Sequence, residues 1–260
     1  MALARFHFHP LLRPLLGRRI RSDPFLYQFN DQPSVKDAIE ACGVPHTEID
    51  VILVNGQSVP FDRRLQDGNI VKIVPFGVLS DQNGMVPLSP PPPDPATFIL
   101  DVHLGRLARR LRLLGLDCSY RNDCDDRSLI GTALAEGRII LTRDRGILKH
   151  AAVQQGMLVR SGFLDDQVLQ VMRRYRQSLR LSPFRRCPDC NGKLYPVVKD
   201  TIRHRLLPGT ERDFDLFQQC AGCNKLYWEG SHYLRIKDWL GTIRARMEGT
   251  DGVMTGWPQS

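Results

Sequence analysis

Two sets of residues in this chain of 260 have the types and spacing to do chemistry. One is a pair of C-x-x-C motifs, Cys187-Pro188-Asp189-Cys190 and Cys220-Ala221-Gly222-Cys223, with 29 residues between them. Each motif turns two thiolates toward one point, and two such knuckles close a tetrahedral Zn²⁺ shell. A redox C-x-x-C is the competing reading, but two matched pairs fit a metal better. Four thiolates leave no open position, so this zinc is structural. The other set is acidic: Asp101, Asp125-Asp126 and Asp144, each placed where the chain passes from strand to helix. Carboxylates suit Mg²⁺ or Mn²⁺, hard ions that take few protein oxygens and leave places for water and phosphate. Taken singly, Asp126 and Asp144 read as helix caps and Asp101 as a turn residue. Three of them at equivalent junctions of one sheet favour a metal site.

The elements that must position these residues follow from periodicity. In 97–182, short apolar runs alternate with helical patterns, which implies βαβ crossovers and a parallel sheet. The runs are Thr97–Asp101, Asp117–Arg121, Ile139–Thr142 and Met157–Arg160, and the helices 104–114, 126–136, 144–155 and 165–179. In such a sheet the strand-to-helix turns gather at one edge, where ligands bind. On the first helix Leu104, Leu107, Ala108, Leu111 and Leu114 form one face, while Arg106, Arg109, Arg110 and Arg112 fill the rest. Four arginines so close to Asp101, with no intervening acid, suggest phosphate-backbone contacts. Arg143, Arg145 and Lys149 add positive charge around Asp144. Asp165 and Asp166 open the last helix, where capping is the preferred reading.

Residues 1–79 read as a small α+β unit with strands near 3–8, 25–29, 51–54 and 69–74. Its helix starts after Ser34 as N-cap and ends before Gly43. The pattern Val54-Asn55-Gly56, Leu65 and Asp67-Gly68-Asn69-Ile70-Val71 resembles the ubiquitin-like β-grasp of sulfur-carrier proteins. Carriers act through a free C-terminal Gly-Gly; here Val74-Pro75-Phe76-Gly77 runs on into a linker, which excludes carrier chemistry. His7, His9 and His46 read as strand or loop residues. In the linker 80–96, Ser89-Pro90-Pro91-Pro92-Pro93-Asp94-Pro95 cannot enter a helix and should be extended, holding the first module at a distance. Residues 183–240 form the cysteine ribbon. Its spacer offers Arg203, His204, Arg205 and Arg212 to nucleic acid. Tyr227, Trp228 and Tyr233 can stack on bases or pack the ribbon, with packing preferred for Trp228 and His232 left open. Residues 241–260 read as a C-terminal tail, aperiodic from Gly249.

At these residues the chain resembles a known family. Ile99-Leu100-Asp101-Val102-His103-Leu104-Gly105-Arg106, Leu113-Leu114-Gly115-Leu116-Asp117 and Leu141-Thr142-Arg143-Asp144-Arg145 closely resemble the Mut-seven-C ribonucleases, a branch of the PIN-like nucleases. The likeness runs through both cysteine pairs and Tyr227-Trp228-Glu229-Gly230-Ser231-His232, and members also occur with a ubiquitin-like N-terminal domain. It implies a metal-dependent ribonuclease in which Asp101 and Asp144 match the family's acidic positions. For the acidic cluster between them Asp123, Asp125 and Asp126 compete, with Asp126 favoured and Asp125 second. The fold class expected is α/β: a parallel-sheet PIN-like domain, preceded by a β-grasp domain and followed by a zinc ribbon.

The bulk numbers agree. Net charge is +8, made of +1 in residues 1–80, +4 in 81–182 and +3 in 183–260. That distribution fits a polyanion, RNA such as tRNA or rRNA, met by the middle and C-terminal parts. No apolar run approaches the ~20 residues of a membrane span. Seven cysteines, odd in number and partly in C-x-x-C pairs, point to a reducing, cytoplasmic setting. The β-grasp module is expected to be a docking or regulatory module for a protein partner, or an accessory lid packed on the next domain. The rival reading is a non-catalytic RNA-binding adaptor, associated with tRNA or the ribosome.

Overall fold

The computed structural model describes residues 1–248 apart from 19, 21, 77, 79–84 and 86. The described chain forms two compact units, 1–92 with 142–158, and 93–141 with 159–248. The first boundary falls inside the linker, between Pro92 and Pro93, and residues 142–158 also group with the N-terminal module.

In the first unit, strands β1 (Ala2–Phe8) and β2 (Phe25–Phe29) form an antiparallel pair, and helix α1 (Val35–Ala41) follows. Then come β3 (Ile49–Val54), the short β4 (Gln57–Ser58) and β5 (Ile70–Pro75). The order is β2-β1-β5-β3-β4, with β1 and β5 parallel at the centre, which is the β-grasp arrangement. Alternation explains β1: Ala4, Phe6 and Phe8 are buried, while Leu3 and Arg5 face out. Ser34 caps α1 by accepting from the Asp37 N–H at 3.1 Å. Asn55 and Gly56, both at positive φ, make the two-residue hairpin turn between β3 and β4. The sequence reading lacked β4, the 3₁₀ turn Pro10–Leu15 that buries Leu12 and Leu15, and the 3₁₀ turn His46–Glu48. Such one-turn pieces have no periodicity to detect.

The second chain segment supplies β6 (Thr97–Leu100), α2 (Gly105–Leu113), β7 (Asp117–Tyr120), α3 (Asp126–Glu136) and β8 (Ile139–Thr142). Next are α4 (Arg145–Lys149), β9 (Gly156–Leu158) and α5 (Leu164–Arg174). The sheet order is β7-β6-β8-β9, and β6 pairs in parallel with both β7 and β8. Leu107, Ala108 and Leu111 on α2 are fully buried, each leucine contributing roughly 1.5–3 kcal/mol. α4 is much shorter than the 144–155 helix the sequence suggested.

The cysteine ribbon is a three-stranded antiparallel sheet of β10 (Leu194–Val197), β11 (Phe217–Cys220) and β12 (Leu226–Trp228). Short helices α6 (Lys199–Ile202) and α7 (Pro208–Asp213) occupy the spacer. A final helix, α8 (Ser231–Glu248), runs well into the segment read as a tail. The rest of that tail, and residues 80–84 and 86 of the linker, lie outside the described residues.

Candidate metal centres and the basic cleft

Asp101 follows β6 directly and caps the 3₁₀ turn Val102–Leu104, its Oδ1 accepting from the His103 N–H at 2.8 Å. Its own N–H donates to the Leu141 carbonyl at 3.1 Å, tying the end of β6 to β8. The residue is only 4% exposed. Burying a carboxylate is costly unless hydrogen bonds or an ion hold it. Asp144 is exposed and caps α4, with Oδ1 accepting from the Gly146 N–H at 2.6 Å. Its N–H in turn donates to the Thr142 hydroxyl at 2.8 Å.

The three contenders between them differ. Asp123 pairs with Arg121 at 3.1 Å, and that hydrogen bond holds its carboxyl below the ordinary range. Asp125 caps α3: the Ser128 N–H reaches Oδ1 at 2.8 Å and the Ser128 hydroxyl reaches Oδ2 at 3.0 Å. Those bonds lower the Asp125 carboxyl. Asp126, the first residue of α3, stands exposed. Among the described residues, no three acidic side chains bring oxygens within 4.8 Å of one another.

Asp165 and Asp166 do other work than capping. Asp165 accepts from the Trp239 indole at 2.8 Å and Asp166 pairs with Arg246 at 2.6 Å, so together they hold α8 against α5.

Beside α2 lies an open cleft of about 690 Å³, lined by Arg106, Arg109, Arg112 and Arg121 with Tyr120, Asn122, Asp123 and Asp189. Four guanidiniums against two carboxylates leave it positive. Gly105 forms part of its wall because a Cβ there would fall 2.6 Å from the Tyr120 hydroxyl. That hydroxyl donates to the Val102 carbonyl at 3.1 Å, joining β7 to the turn after Asp101.

The basic residues expected at a phosphate backbone divide into two groups. Arg106 and Arg143 are exposed, and Arg109 is exposed while paired with Asp189 at 2.6 Å. Arg110 stacks its guanidinium 4.4 Å from the Trp239 ring centroid. Arg112 is 2% exposed and donates to the Cys118 carbonyl at 2.9 Å and to the Pro188 and Asp189 carbonyls at 3.1 and 2.8 Å. Lys149 donates to the Glu40 carbonyl and Arg145 to the Leu15 carbonyl. A helical wheel cannot reveal this, because the covering elements arrive from distant parts of the chain.

The cysteines converge as their spacing requires. All four Sγ atoms lie within 4.8 Å of one another, Cys187 to Cys223 at 3.7 Å and Cys190 to Cys220 at 3.3 Å. Asn191 and Asn224 take positive φ to complete the two turns. Burial alone would raise the Cys220 thiol; backbone N–H donation from Cys223 and Gly222 and its neighbouring sulfur pull it to about 7. Such a donor set, soft and pre-gathered, fits a thiophilic ion. The first knuckle is bolted to the sheet by Arg112 and by a second network. There Asp117 receives Arg138 at 2.7 Å, Arg186 at 2.8 Å and Asn191 at 2.9 Å. Tyr227 meets Cys187 Sγ at 2.9 Å, Tyr233 packs 4.4 Å from Phe184, and Trp228 lies between Phe214 and Phe217. These aromatics pack the ribbon.

No helix among the described residues is long and apolar enough to cross a membrane. The model of the Mut7-C RNAse domain matches residues 96–240, and that of the Mut7-C ubiquitin domain matches residues 1–79. Neither a curated protein nor a solved structure matches the chain. The RNAse-domain match spans more than half of the chain and includes both the buried aspartate and the four-cysteine ribbon, and the chain belongs to the Mut7-C RNAse family.

Proposed function

We propose that the chain is a metal-dependent ribonuclease that hydrolyses RNA phosphodiester bonds in the cytoplasm. Asp101 carries the reading: a carboxylate 4% exposed ends the central strand of a domain matched by an RNAse model, on the turn leading into an arginine-bearing helix. Asp101, Asp126 and Asp144 would hold Mg²⁺ or Mn²⁺. Asp125 is the second choice, because both of its oxygens are already engaged by Ser128. Hard carboxylate oxygens fit either ion, and Mg²⁺ in particular keeps waters and takes further ligands from substrate phosphate. When bound, the ion supplies an activated water and shields charge developing on the phosphate.

The chain's own part is positioning. Arg106, Arg109 and Arg121 line the cleft and offer guanidiniums to successive phosphates, and Arg143 does so beside Asp144. Arg110, Arg112 and Lys149 serve this site indirectly, by fastening the elements that carry it. The four cysteines would hold Zn²⁺ with no open position, so the ribbon supports RNA binding and leaves chemistry to the aspartates. Arg203, His204, Arg205 and Arg212 are exposed on its spacer for that purpose.

The test is cleavage of tRNA, rRNA and single-stranded RNA with Mg²⁺, Mn²⁺ or EDTA, followed by end mapping. Asp101→Asn and Asp144→Asn should each lose about 10²-fold or more in rate while RNA binding is kept. Undiminished cleavage by both variants would refute the assignment. RNA binding without cleavage by the unaltered chain would identify an adaptor instead.

A further inference from the structure

We infer that the ubiquitin-like module is a built-in clamp on the segment carrying Asp144, and that Glu48 and His46 are its positioning residues. Its functional meaning rests on the metal-binding role proposed for Asp144; its geometry does not.

Within the first unit, four polar contacts join the module to residues 145–158. Two run from that segment: Arg145 donates to the Leu15 carbonyl at 2.7 Å and Lys149 to the Glu40 carbonyl. Two run from the module: the Glu48 carboxylate accepts from the Leu158 N–H at 2.8 Å, and His46 Nε2 lies 2.7 Å from the Val153 carbonyl. The other ring nitrogen of His46 lies 2.7 Å from the Glu40 carboxylate, so the imidazole bridges α1 and the turn before β9. His46 and Glu48 are 6% and 8% exposed. Polar groups so deeply buried need partners, and each of these two has one on 145–158.

The clamped segment needs the help. β9 is the last strand in the order β7-β6-β8-β9, and Glu48 accepts from the Leu158 N–H on it. α4 has five residues, far below the length at which a helix is stable alone. It begins on the Asp144 cap, whose Oδ1 is fixed by the Gly146 N–H. Holding α4 at Arg145 and Lys149 therefore holds the Asp144 carboxylate.

The experiment compares full-length Glu48→Ala, His46→Ala and Glu48→Gln with the unaltered chain. Amide exchange at Gly146 reports the Asp144 carboxylate directly, Leu158 reports the clamp, and Leu100 on β6 reports the intact sheet. Both alanine variants should speed exchange at Gly146 and Leu158 by about tenfold or more, with Leu100 unchanged. Glu48→Gln keeps an acceptor oxygen and should stay within about twofold. In the cleavage assay kcat should fall with Gly146 protection while KM holds. Arg145→Met, which severs the contact to Leu15 from the other side, supplies the same measurement should an alanine variant unfold. Unchanged Gly146 exchange in the folded variants overturns the clamp. An unaltered chain that cleaves no RNA overturns the ribonuclease reading alone, since Gly146 exchange still decides the clamp.

Discussion

Arg112 gives its guanidinium to three main-chain oxygens, one on β7 and two in the first cysteine knuckle. Burial pulls its pKa down, and the neighbouring thiols and Asp117 oppose that pull. Arg112→Ala would leave three carbonyls without their donor and a cavity under α2. The expected loss is about 3 kcal/mol in chemical denaturation of the zinc-loaded chain. Arg112→Lys should recover little, because an ammonium cannot reproduce the planar fork; full recovery would show that charge alone matters. Asp117 makes a second prediction, in pH. Burial would raise its carboxyl, but hydrogen bonds from Arg138 and Asn191 and the charges of Arg138 and Arg186 outweigh it and bring it below 3.8. A depressed folded pKa gives stability that is present above 3.8 and is lost as pH falls through the lower folded value. Asp117→Asn should therefore weaken the fold at pH 7 and flatten the acid limb of urea midpoints. An unchanged acid limb would remove Asp117 from that role.

Among elements, α8 shows where the sequence stopped being readable. Strands β6 and β8 were legible because three apolar residues in a row beside a threonine, set between turn signals, have few alternatives, and α2 because its leucines repeat at helical spacing. Both C-x-x-C pairs were legible because ligand spacing is local. α8 is different: its attachment rests on Trp239 to Asp165 and Arg246 to Asp166, pairs separated by 74 and 80 residues. Its own apolar periodicity is weak, with Ile243 its buried residue. The true use of the α2 arginines was hidden for the same reason, since Arg110 meets Trp239 and Arg112 meets the knuckle only in three dimensions. The acidic positions were visible as turn residues, but which carboxylates are engaged, as Asp125 is by Ser128, needed coordinates. Trp239→Ala should strip exchange protection from α8 while α5 keeps its own, with a cost of about 3 kcal/mol. Retained protection along 236–246 would show that other contacts hold the helix.

For the whole molecule, charge sets how RNA should be held. If the cleft binds phosphates, affinity falls log-linearly with salt, at about 0.7 per phosphate contact for a single strand. Arg106→Ala and Arg121→Ala should each reduce that slope by about 0.7, the share of one contact, without changing sequence preference. An unaltered slope in both variants would move the RNA path elsewhere. Within the first unit, Gln155 donates to the Pro90 and Pro91 carbonyls of the linker at 2.9 and 2.7 Å. The bond from Arg112 to Pro188 has a consequence in time. Its acceptor is synthesised 76 residues after its donor, roughly 4–15 s later at about 5–20 residues per second. Until Cys187 to Cys190 emerge, the helix behind Asp101 carries a guanidinium with one of its three acceptors, the Cys118 carbonyl, and without the two in the knuckle. The sheet is thus sealed late and from its C-terminal side. Chains stalled before the first knuckle should be cut by protease near α2, and chains released after the second should resist.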